Sequence, residues 1–179
     1  RDLHSFPPRR SSDLLKPRLR DLLRRDARLT SRVIEGKEAE GAKFSDYFAH
    51  SEPFGTCAGH RALAMFRGRN EGFLSLDLEI DPDAAPGMGR AEGMVKGALS
   101  VARGGKGDEW LATVAGWCWR VKLRPSLTVD LMMELRERAE EEAIRVFGRN
   151  LKDLLLAAPA GGRATMGLDP GIRTGVKVA

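Results

Sequence analysis

Apolar side chains recur every three or four residues along much of the chain, and this spacing is typical of one face of a helix. The first such run extends from Leu15 to Ile34, and Ser12 or Asp13 is placed to cap it. Shorter runs follow over 37–50 and about 59–69. The pattern therefore predicts three helices in the first part of the chain. One face of the second comprises Phe44, Tyr47 and Phe48.

Two further helical patterns occupy the second half of the chain. The first begins at Asp108 or Glu109, and Pro125 is expected to interrupt it because proline lacks the backbone N–H of a helix interior. The second begins at Ser126 and reaches about residue 156, a length of about 45 Å at 1.5 Å per residue, which favours a scaffold over a catalytic pocket. The predicted buried face of the first comprises Trp110, Leu111, Val114, Trp117, Cys118 and Val121. Trp119 lies off this face and could stack on a base, although a core role is favoured for all three tryptophans.

Strand patterns are found in two places. Residues 72–80 alternate apolar and polar side chains and end at Pro82, which predicts one strand or hairpin arm. Residues 163–179 contain a short apolar run, an acidic turn and a second β-like run, so we expect a fragment of a longer protein. Between the helical parts, 81–107 is rich in glycine and predicts a connecting segment of low order. The predicted fold class is mainly α, a multi-helix scaffold with one short strand or hairpin and a truncated β strand pair at the C-terminus.

The composition is that of a soluble globular protein, with 179 residues of which 42% are apolar. No apolar run approaches the roughly 18 residues needed to cross a bilayer, and the N-terminus lacks a signal-peptide core. We therefore predict a cytoplasmic protein without a membrane partner. Cys57 and Cys118 lie 61 positions apart and lack CxxC spacing, which predicts two buried thiols.

Positive charge is concentrated near the N-terminus. Lys and Arg total 30 against 25 Asp and Glu, a net charge of +5, and the segment 15–37 alone holds eight basic and three acidic residues. Four of these arginines share helical spacing and could follow the phosphate backbone of RNA or DNA. A solvated helix face is the alternative. The four are Arg18, Arg25, Arg28 and Arg32.

A second group of cations lies in the motif HRALAMFRGRNEG, residues 60–72. Guanidinium groups suit phosphate contacts because they stay charged and present a fork of donors. Arg61, Arg67 and Arg69 are therefore candidates for nucleic-acid contact. The alternative is that one of them pairs with an internal carboxylate while His60 caps or packs.

Residues 1–14, RDLHSFPPRRSSDL, carry no hydrophobic period. The string is similar to one translated reading frame of a common sequencing-adaptor oligonucleotide, with Pro8 as the one departure. We expect a non-native tail here, and an ordinary disordered tail is the alternative.

Four stretches together resemble one protein family. GKEAEGAKFSDYF, HRALAMFRGRNEG, RNLKDLLLAAPAG and MGLDPGIRTGVKVA look like successive parts of the bacterial Tex family of RNA-binding transcription accessory proteins. The resemblance covers essentially all of 15–179, and its one departure is GTCAG at 55–59, where a turn with Pro or Ser is expected. It implies a central helical region over 15–159 and, over 163–179, the opening strands of a YqgF domain with the ribonuclease H-like fold. In the family, helix-hairpin-helix motifs and an OB-fold RNA-binding domain follow.

The string GLDPGIRTG, residues 167–175, is the strongest candidate for a metal-binding or phosphate-binding site. Asp169 resembles the first-strand carboxylate of ribonuclease H-like nucleases such as Holliday-junction resolvases, in which several carboxylates hold divalent metal. The string also resembles the first phosphate loop of the actin and heat-shock chaperone ATPases. A simple tight turn at Asp169-Pro170-Gly171 is the third interpretation, and we favour it. Because one carboxylate cannot hold such a metal, we predict no metal site in this chain.

No Ser-His-Asp or Cys-His set with mechanistic spacing is present, so we expect no enzyme activity, cofactor or small-molecule substrate. The predicted function is that of a non-catalytic fragment of a transcription accessory protein that binds nucleic acid, mainly RNA, through a helical scaffold. The transcription machinery is a further candidate partner. One alternative is a YqgF-type nuclease in which Asp169 and later carboxylates bind Mg²⁺. Another is a scaffold whose long helix docks other proteins.

Overall fold

The chain folds into two units, Arg1–Ala143 and Ile144–Ala179. Within the described residues, no helix is both long enough and apolar enough to cross a bilayer. The structure, a computed structural model, describes residues 10–85, 87–99, 101, 105, 107–159, 161–171 and 175–179.

Helices dominate the chain, which confirms the predicted fold class. They are α1 (Arg10–Asp26), α2 (Gly59–Asn70), α3 (Arg90–Ala98), α4 (Asp108–Trp117) and α5 (Arg124–Leu155). The first begins inside the segment predicted as a tail, so Ser12 and Asp13 lie within α1 and not ahead of it. Residues 1–9 lie outside the described part of the chain. The glycine-rich segment predicted as a connection contains α3.

A three-stranded antiparallel sheet packs among these helices. Its strands are β1 (Arg28–Val33), β2 (Ala49–Pro53) and β3 (Leu74–Glu79), in the order β2-β1-β3. The third is the strand predicted at 72–80. The other two were not predicted, because their residues were assigned to helices.

The predicted helix from Leu15 to Ile34 is wrong beyond Asp26, where α1 ends and the chain turns into the central strand. Leu29 is a core residue in either conformation, since its position fits both a helical period and a strand period. Tertiary pairing decides between them, because β1 bonds to a neighbour on each side. The β-branched Thr30 and Val33 favour this outcome.

The second predicted helix is also only partly present. A 3-10 segment covers Ala42–Tyr47, and the chain then continues as β2. Phe44 is buried and its ring lies 6.0 Å from that of Phe73, whereas Tyr47 and Phe48 are half-buried.

One hydrophobic core joins α1, the sheet, α2, α3 and the first part of α5. Burial of each large aliphatic side chain contributes about 1.5–3 kcal/mol relative to exposure. The predicted face of α5 is confirmed from Leu127 to Ala139. The largest fully buried members are Leu19, Leu23, Leu29, Phe54, Met65, Leu74, Leu78, Leu127, Leu131 and Leu135.

The helix does not break at Pro125. A π-helical segment, Cys118–Leu123, links α4 to α5, and the proline lies in the first turn of α5. Proline has no N–H to donate and crowds the turn before it, and the wider π turn is found directly before this site.

The predicted buried face of α4 is wrong. Trp110 is 68% exposed and Trp117 is 51% exposed, whereas Trp119 is only 5% exposed. The side that packs against α3 carries the buried small residues Ala115 and Gly116, and small residues let two helices approach closely. Val121 is exposed as well, while Leu111, Val114 and Cys118 are half-buried.

The second unit contains the rest of α5 and a strand pair, β4 (Leu168–Gly171) and β5 (Gly175–Val178), which confirms the predicted pair. Asp169-Pro170-Gly171 belongs to β4, so the tight turn assigned to these residues is wrong. The connection between the strands, 172–174, lies outside the described residues. The predicted apolar face of α5 continues here as exposed side chains, including Val146, Phe147, Leu151, Leu154 and Leu155.

Candidate nucleic-acid interface

One face of the three-stranded sheet is polar, and two of the predicted arginines lie on it. Side chains alternate along a strand, so Arg28, Thr30 and Arg32 point to the same side of β1. Across the register, Thr30 lies opposite Ser51 of β2 and Asp77 of β3. We call this surface the polar sheet face; its residues are Arg28, Thr30, Arg32, Ser51, Asp77 and Glu79.

Arg28 and Arg32 are held differently on the polar sheet face. The Arg28 guanidinium donates to Ser51 Oγ at 2.9 Å and to the Ser51 carbonyl at 2.8 Å, and these partners are neutral. Arg32 donates to Glu79 Oε1 at 3.1 Å, yet its side chain is 73% exposed. An open groove of about 370 Å³ runs between Arg32, Ser51 and Glu79.

A third arginine reaches this face from the helical side. Arg124, at the start of α5, donates to Asp77 Oδ2 at 2.5 Å and to the Leu78 carbonyl at 3.3 Å. Three guanidinium groups and the carboxylates of Asp77 and Glu79 therefore lie on this face, and Asp81 lines the adjoining groove. Sequence reasoning missed Arg124, because the only local signal was a basic residue beside Pro125.

The remaining predicted arginines of the basic segment lie on α1. Arg18 is exposed and lines a groove of about 370 Å³ beside Met94 and Ala98 of α3. Arg25 pairs with its neighbour Asp26 at 2.8 Å and stays 74% exposed. The predicted helical stripe of four arginines does not form, because α1 ends before Arg28.

Arg61 forms an internal ion pair, which was the alternative to nucleic-acid contact. Its guanidinium forks onto Glu52, with Nη2 2.7 Å from Oε2 and Nε 3.2 Å from both carboxylate oxygens. His50 Nε2 lies 3.1 Å from Oε1, and the Cys57 thiol donates to the same oxygen at 3.3 Å. This cluster ties β2 to α2 behind the sheet. His60 is exposed and lies outside it.

Charge and burial set the protonation of this cluster. Burial raises the pKa of the Glu52 carboxyl, but hydrogen bonds from Arg61, His50 and Cys57 outweigh burial and hold the pKa below its ordinary 4.5. Burial and the Glu52 charge raise the pKa of Cys57 to about 12. Cys57 is therefore a neutral buried thiol, as predicted, whereas Cys118 is only half-buried.

Arg67 and Arg69 lie at the exposed end of α2. Arg67 donates to Glu71, the residue that follows α2, at 2.8 Å. The Arg69 guanidinium lies 5.1 Å from the centre of the Phe66 ring. Neither residue lies on the polar sheet face, so the structure brings together Arg28, Arg32 and Arg124 but leaves the other candidates dispersed.

Residues 10–147 match the protein-family model described as Tex central region-like. The chain belongs to this family. It is 55% identical over 168 residues to Protein YhgF of Escherichia coli. The aligned stretch covers 92% of this chain and 22% of that protein. It is 48% identical over 163 residues to Transcriptional accessory protein Tex of Neisseria gonorrhoeae, covering 90% of this chain and 21% of that protein. The chain spans about a fifth of the length of these curated Tex relatives.

A shorter similarity reaches a human protein. The chain is 46% identical over 55 residues to S1 RNA-binding domain-containing protein 1 of Homo sapiens, which covers 31% of this chain and 6% of that protein.

Asp169 lies outside the stretch that matches the Tex model. Its side chain is 75% exposed, and Lys177 Nζ lies 3.7 Å from Oδ2 across the strand pair. Among the residues that the structure describes, no three His, Cys, Asp or Glu side chains are grouped to hold a metal ion.

Proposed function

We propose that this chain is a non-catalytic, nucleic-acid-binding part of a Tex-type transcription accessory protein, that it acts in the cytoplasm and that RNA is its main ligand. The observation that carries the proposal is the polar sheet face. There, the Arg28 guanidinium donates to neutral groups of Ser51, and Arg32 is largely exposed.

This face has the chemistry of a phosphate-contacting surface. Guanidinium groups, hydroxyl groups and backbone donors supply most contacts to nucleic-acid backbones. Arg28 and Arg32 are four residues apart on one strand, or about 13 Å at 3.3 Å per residue, so two phosphates of one strand can be bound together. The grooves beside them leave room for an extended chain.

The names of the relatives support the same assignment. One is named for a transcriptional accessory role and another for an S1 RNA-binding domain. In this proposal the helices serve as a scaffold: the core fixes α1 and α5 against the sheet, so that its polar face is presented as a rigid surface. The transcription machinery is the partner that would be recruited.

The proposal is tested by fluorescence anisotropy with the purified chain and a labelled single-stranded RNA, in parallel with DNA of the same sequence. Two to three phosphate contacts predict a slope of log K against log salt of about −1.4 to −2.1, at about 0.7 per contact for single strands. RNA should bind more tightly than DNA. Absence of binding at low salt, or binding that does not change with salt, would contradict the proposal.

The non-catalytic part of the proposal has its own test. The same RNA and a four-way DNA junction are incubated with the chain and Mg²⁺ or Mn²⁺, and both should remain intact. Cleavage that the Asp169→Asn variant abolishes would support a nuclease instead.

A further inference from the structure

Two of the three tryptophans lie exposed on α4. Trp110 is 68% exposed and Trp117 is 51% exposed, although the indole is among the side chains that gain most from burial. They are seven residues apart, which is two helical turns, so both lie on the same side of α4, about 10 Å apart at 1.5 Å per residue. The two rings form one exposed aromatic surface, which we call the indole pair.

The packing of α4 does not depend on the indole pair. Another side of the helix carries the buried Ala115 and Gly116 and packs against α3, and Trp119 fills a core position just after the helix. Val114, which lies between the two rings in the sequence, is half-buried. Exposed indoles that packing does not require are typical of binding surfaces, in which tryptophan is enriched.

Positive charge adjoins one end of the indole pair. Lys122 Nζ lies 5.7 Å from the centre of the Trp117 ring, within the range of a cation–π contact, and Lys122 is exposed. The other end is acidic, because Asp108 and Glu109 lie in the first turn of α4 just before Trp110. A ligand that combines aromatic rings with negative charge therefore fits with its charge towards the Trp117 end.

Two arginines connect this end of α4 with the polar sheet face. Arg120 and Arg124 line one cavity, and Arg124 also lines a groove of about 420 Å³ that reaches Arg32. Asp81 lines both spaces, and each of the two arginines pairs with one carboxylate, yet their side chains stay 53% and 36% exposed. Open space bordered by guanidinium groups thus runs from Arg32 to Arg120, three residues after Trp117.

We propose that the indole pair stacks on two bases of a single-stranded RNA whose phosphates contact the polar sheet face. Every base has a π face, so stacking on an aromatic side chain needs no particular sequence. The two rings are about three nucleotides apart for a strand that rises 3.4 Å per nucleotide. The cation beside Trp117 and the arginines that lead to the sheet favour RNA over an apolar segment of a partner protein. The inference rests on the proposed RNA-binding function.

The first test separates stacking from charge. Labelled single-stranded RNA is titrated at several salt concentrations with the wild-type chain, Trp110→Ala and Trp117→Ala. Each variant should weaken binding about fivefold or more at every salt concentration, because one stacking contact is lost. The salt slope should stay unchanged, because no cation is removed. Met133→Ala, which truncates a similarly exposed apolar side chain on α5, should change neither quantity.

A second pair of variants distinguishes stacking from apolar contact. Trp117→Phe keeps an aromatic ring and should retain most of the RNA affinity of the wild-type chain. Trp117→Leu keeps an apolar side chain without a π face and should bind RNA as weakly as Trp117→Ala. Equal RNA affinity of Trp117→Phe and Trp117→Leu would contradict stacking and would indicate a surface for an apolar segment of a protein instead.

A third measurement needs no variant. The wild-type chain is titrated with an RNA strand and with an abasic strand of the same length, so that the two ligands carry the same charge. The strand with bases should bind at least about tenfold more tightly, since two stacking contacts are made. Salt-dependent binding of both strands with equal affinity would overturn the indole pair and leave the proposed function standing. Absence of binding by both strands would overturn the proposed function, and the indole pair with it.

Discussion

Arg24 of α1 forks onto Glu134 of α5, with Nε 3.1 Å from Oε1 and Nη2 2.8 Å from Oε2. One turn earlier on both helices, Arg20 pairs with Asp130 at 2.7 Å. From the Arg20 pair to the Arg24 pair, the residue number rises by four on both helices, so α1 and α5 run in the same direction where they meet. Much of the basic character of α1 therefore joins two helices and is not available to a ligand.

Loss of the Arg24–Glu134 pair should cost little stability. Both side chains are almost half exposed, and exposed pairs contribute about 0.2–1 kcal/mol after solvent screening. A double-mutant cycle of Arg24→Ala and Glu134→Ala, read by urea denaturation, should give a coupling energy near 0.5 kcal/mol that falls in about 1 M salt. The pair Arg136–Glu140, within α5 alone, is the matched control. A coupling of zero at low salt would show that the fork is not maintained in solution.

The Glu52 cluster should make stability depend on acid pH. Since the folded-state pKa of Glu52 lies below its value in the unfolded chain, the stabilisation is present above about pH 4.5 and lost as pH falls through the folded pKa. Glu52→Gln should lower the Tm at pH 7, and the difference from wild type should narrow towards pH 3. Glu137→Gln should show no such convergence. A difference in Tm that stays constant with pH would contradict the cluster.

The sequence predicted helices more reliably than it predicted their ends. Leu29 fits a helical period as well as a strand period, and only pairing with β2 and β3 decides between them. One signal was overlooked: an isolated strand at 72–80 needs hydrogen-bonded partners, and β-branched Thr30 and Val33 lay nearby. The small residues Ala115 and Gly116 likewise marked the packed side of α4, but the bulk of Trp110 and Trp117 obscured it.

The two kinds of tryptophan should differ in their effect on stability. Trp119→Ala removes a buried indole and should cost about 3–5 kcal/mol, as large-to-small core changes do. Trp110→Ala removes an exposed indole and should cost less than about 1 kcal/mol. Urea denaturation of both variants measures the difference. A larger loss for Trp110→Ala than for Trp119→Ala would mean that the predicted face, and not the observed one, is buried.

Cys57 should resist thiol reagents in the folded protein. A pKa of about 12 leaves a thiolate fraction at pH 8 roughly a thousandfold below that of an ordinary thiol with pKa near 8.5. Labelling of Cys118→Ala, in which only Cys57 remains, should therefore wait for unfolding by denaturant. Cys57→Ala, which keeps the half-buried Cys118, should label faster. Rapid labelling of Cys57 under native conditions would contradict its burial.

The candidate interface was harder to predict than the fold. The seven arginines chosen from the sequence include Arg28 and Arg32, but the reason given for them, a helical stripe, does not hold. Arg61 is engaged by Glu52, a pairing that spacing cannot indicate without the fold, whereas the pairing of Arg67 with Glu71 follows the i, i+4 spacing of a helix. Arg124 joins the face because the fold places the first residue of α5 beside Asp77 and Leu78 of β3.

The most direct measurement compares two double variants in the salt-dependent RNA titration. Arg28→Gln with Arg32→Gln removes two charges from the polar sheet face. Arg67→Gln with Arg136→Gln removes two charges that are each paired with a glutamate four residues later. We predict that the first lowers the magnitude of the salt slope by about 1.4, at about 0.7 per contact, and that the second leaves it unchanged. Equal changes in both variants would show that binding follows net charge, and would contradict an interface on the sheet.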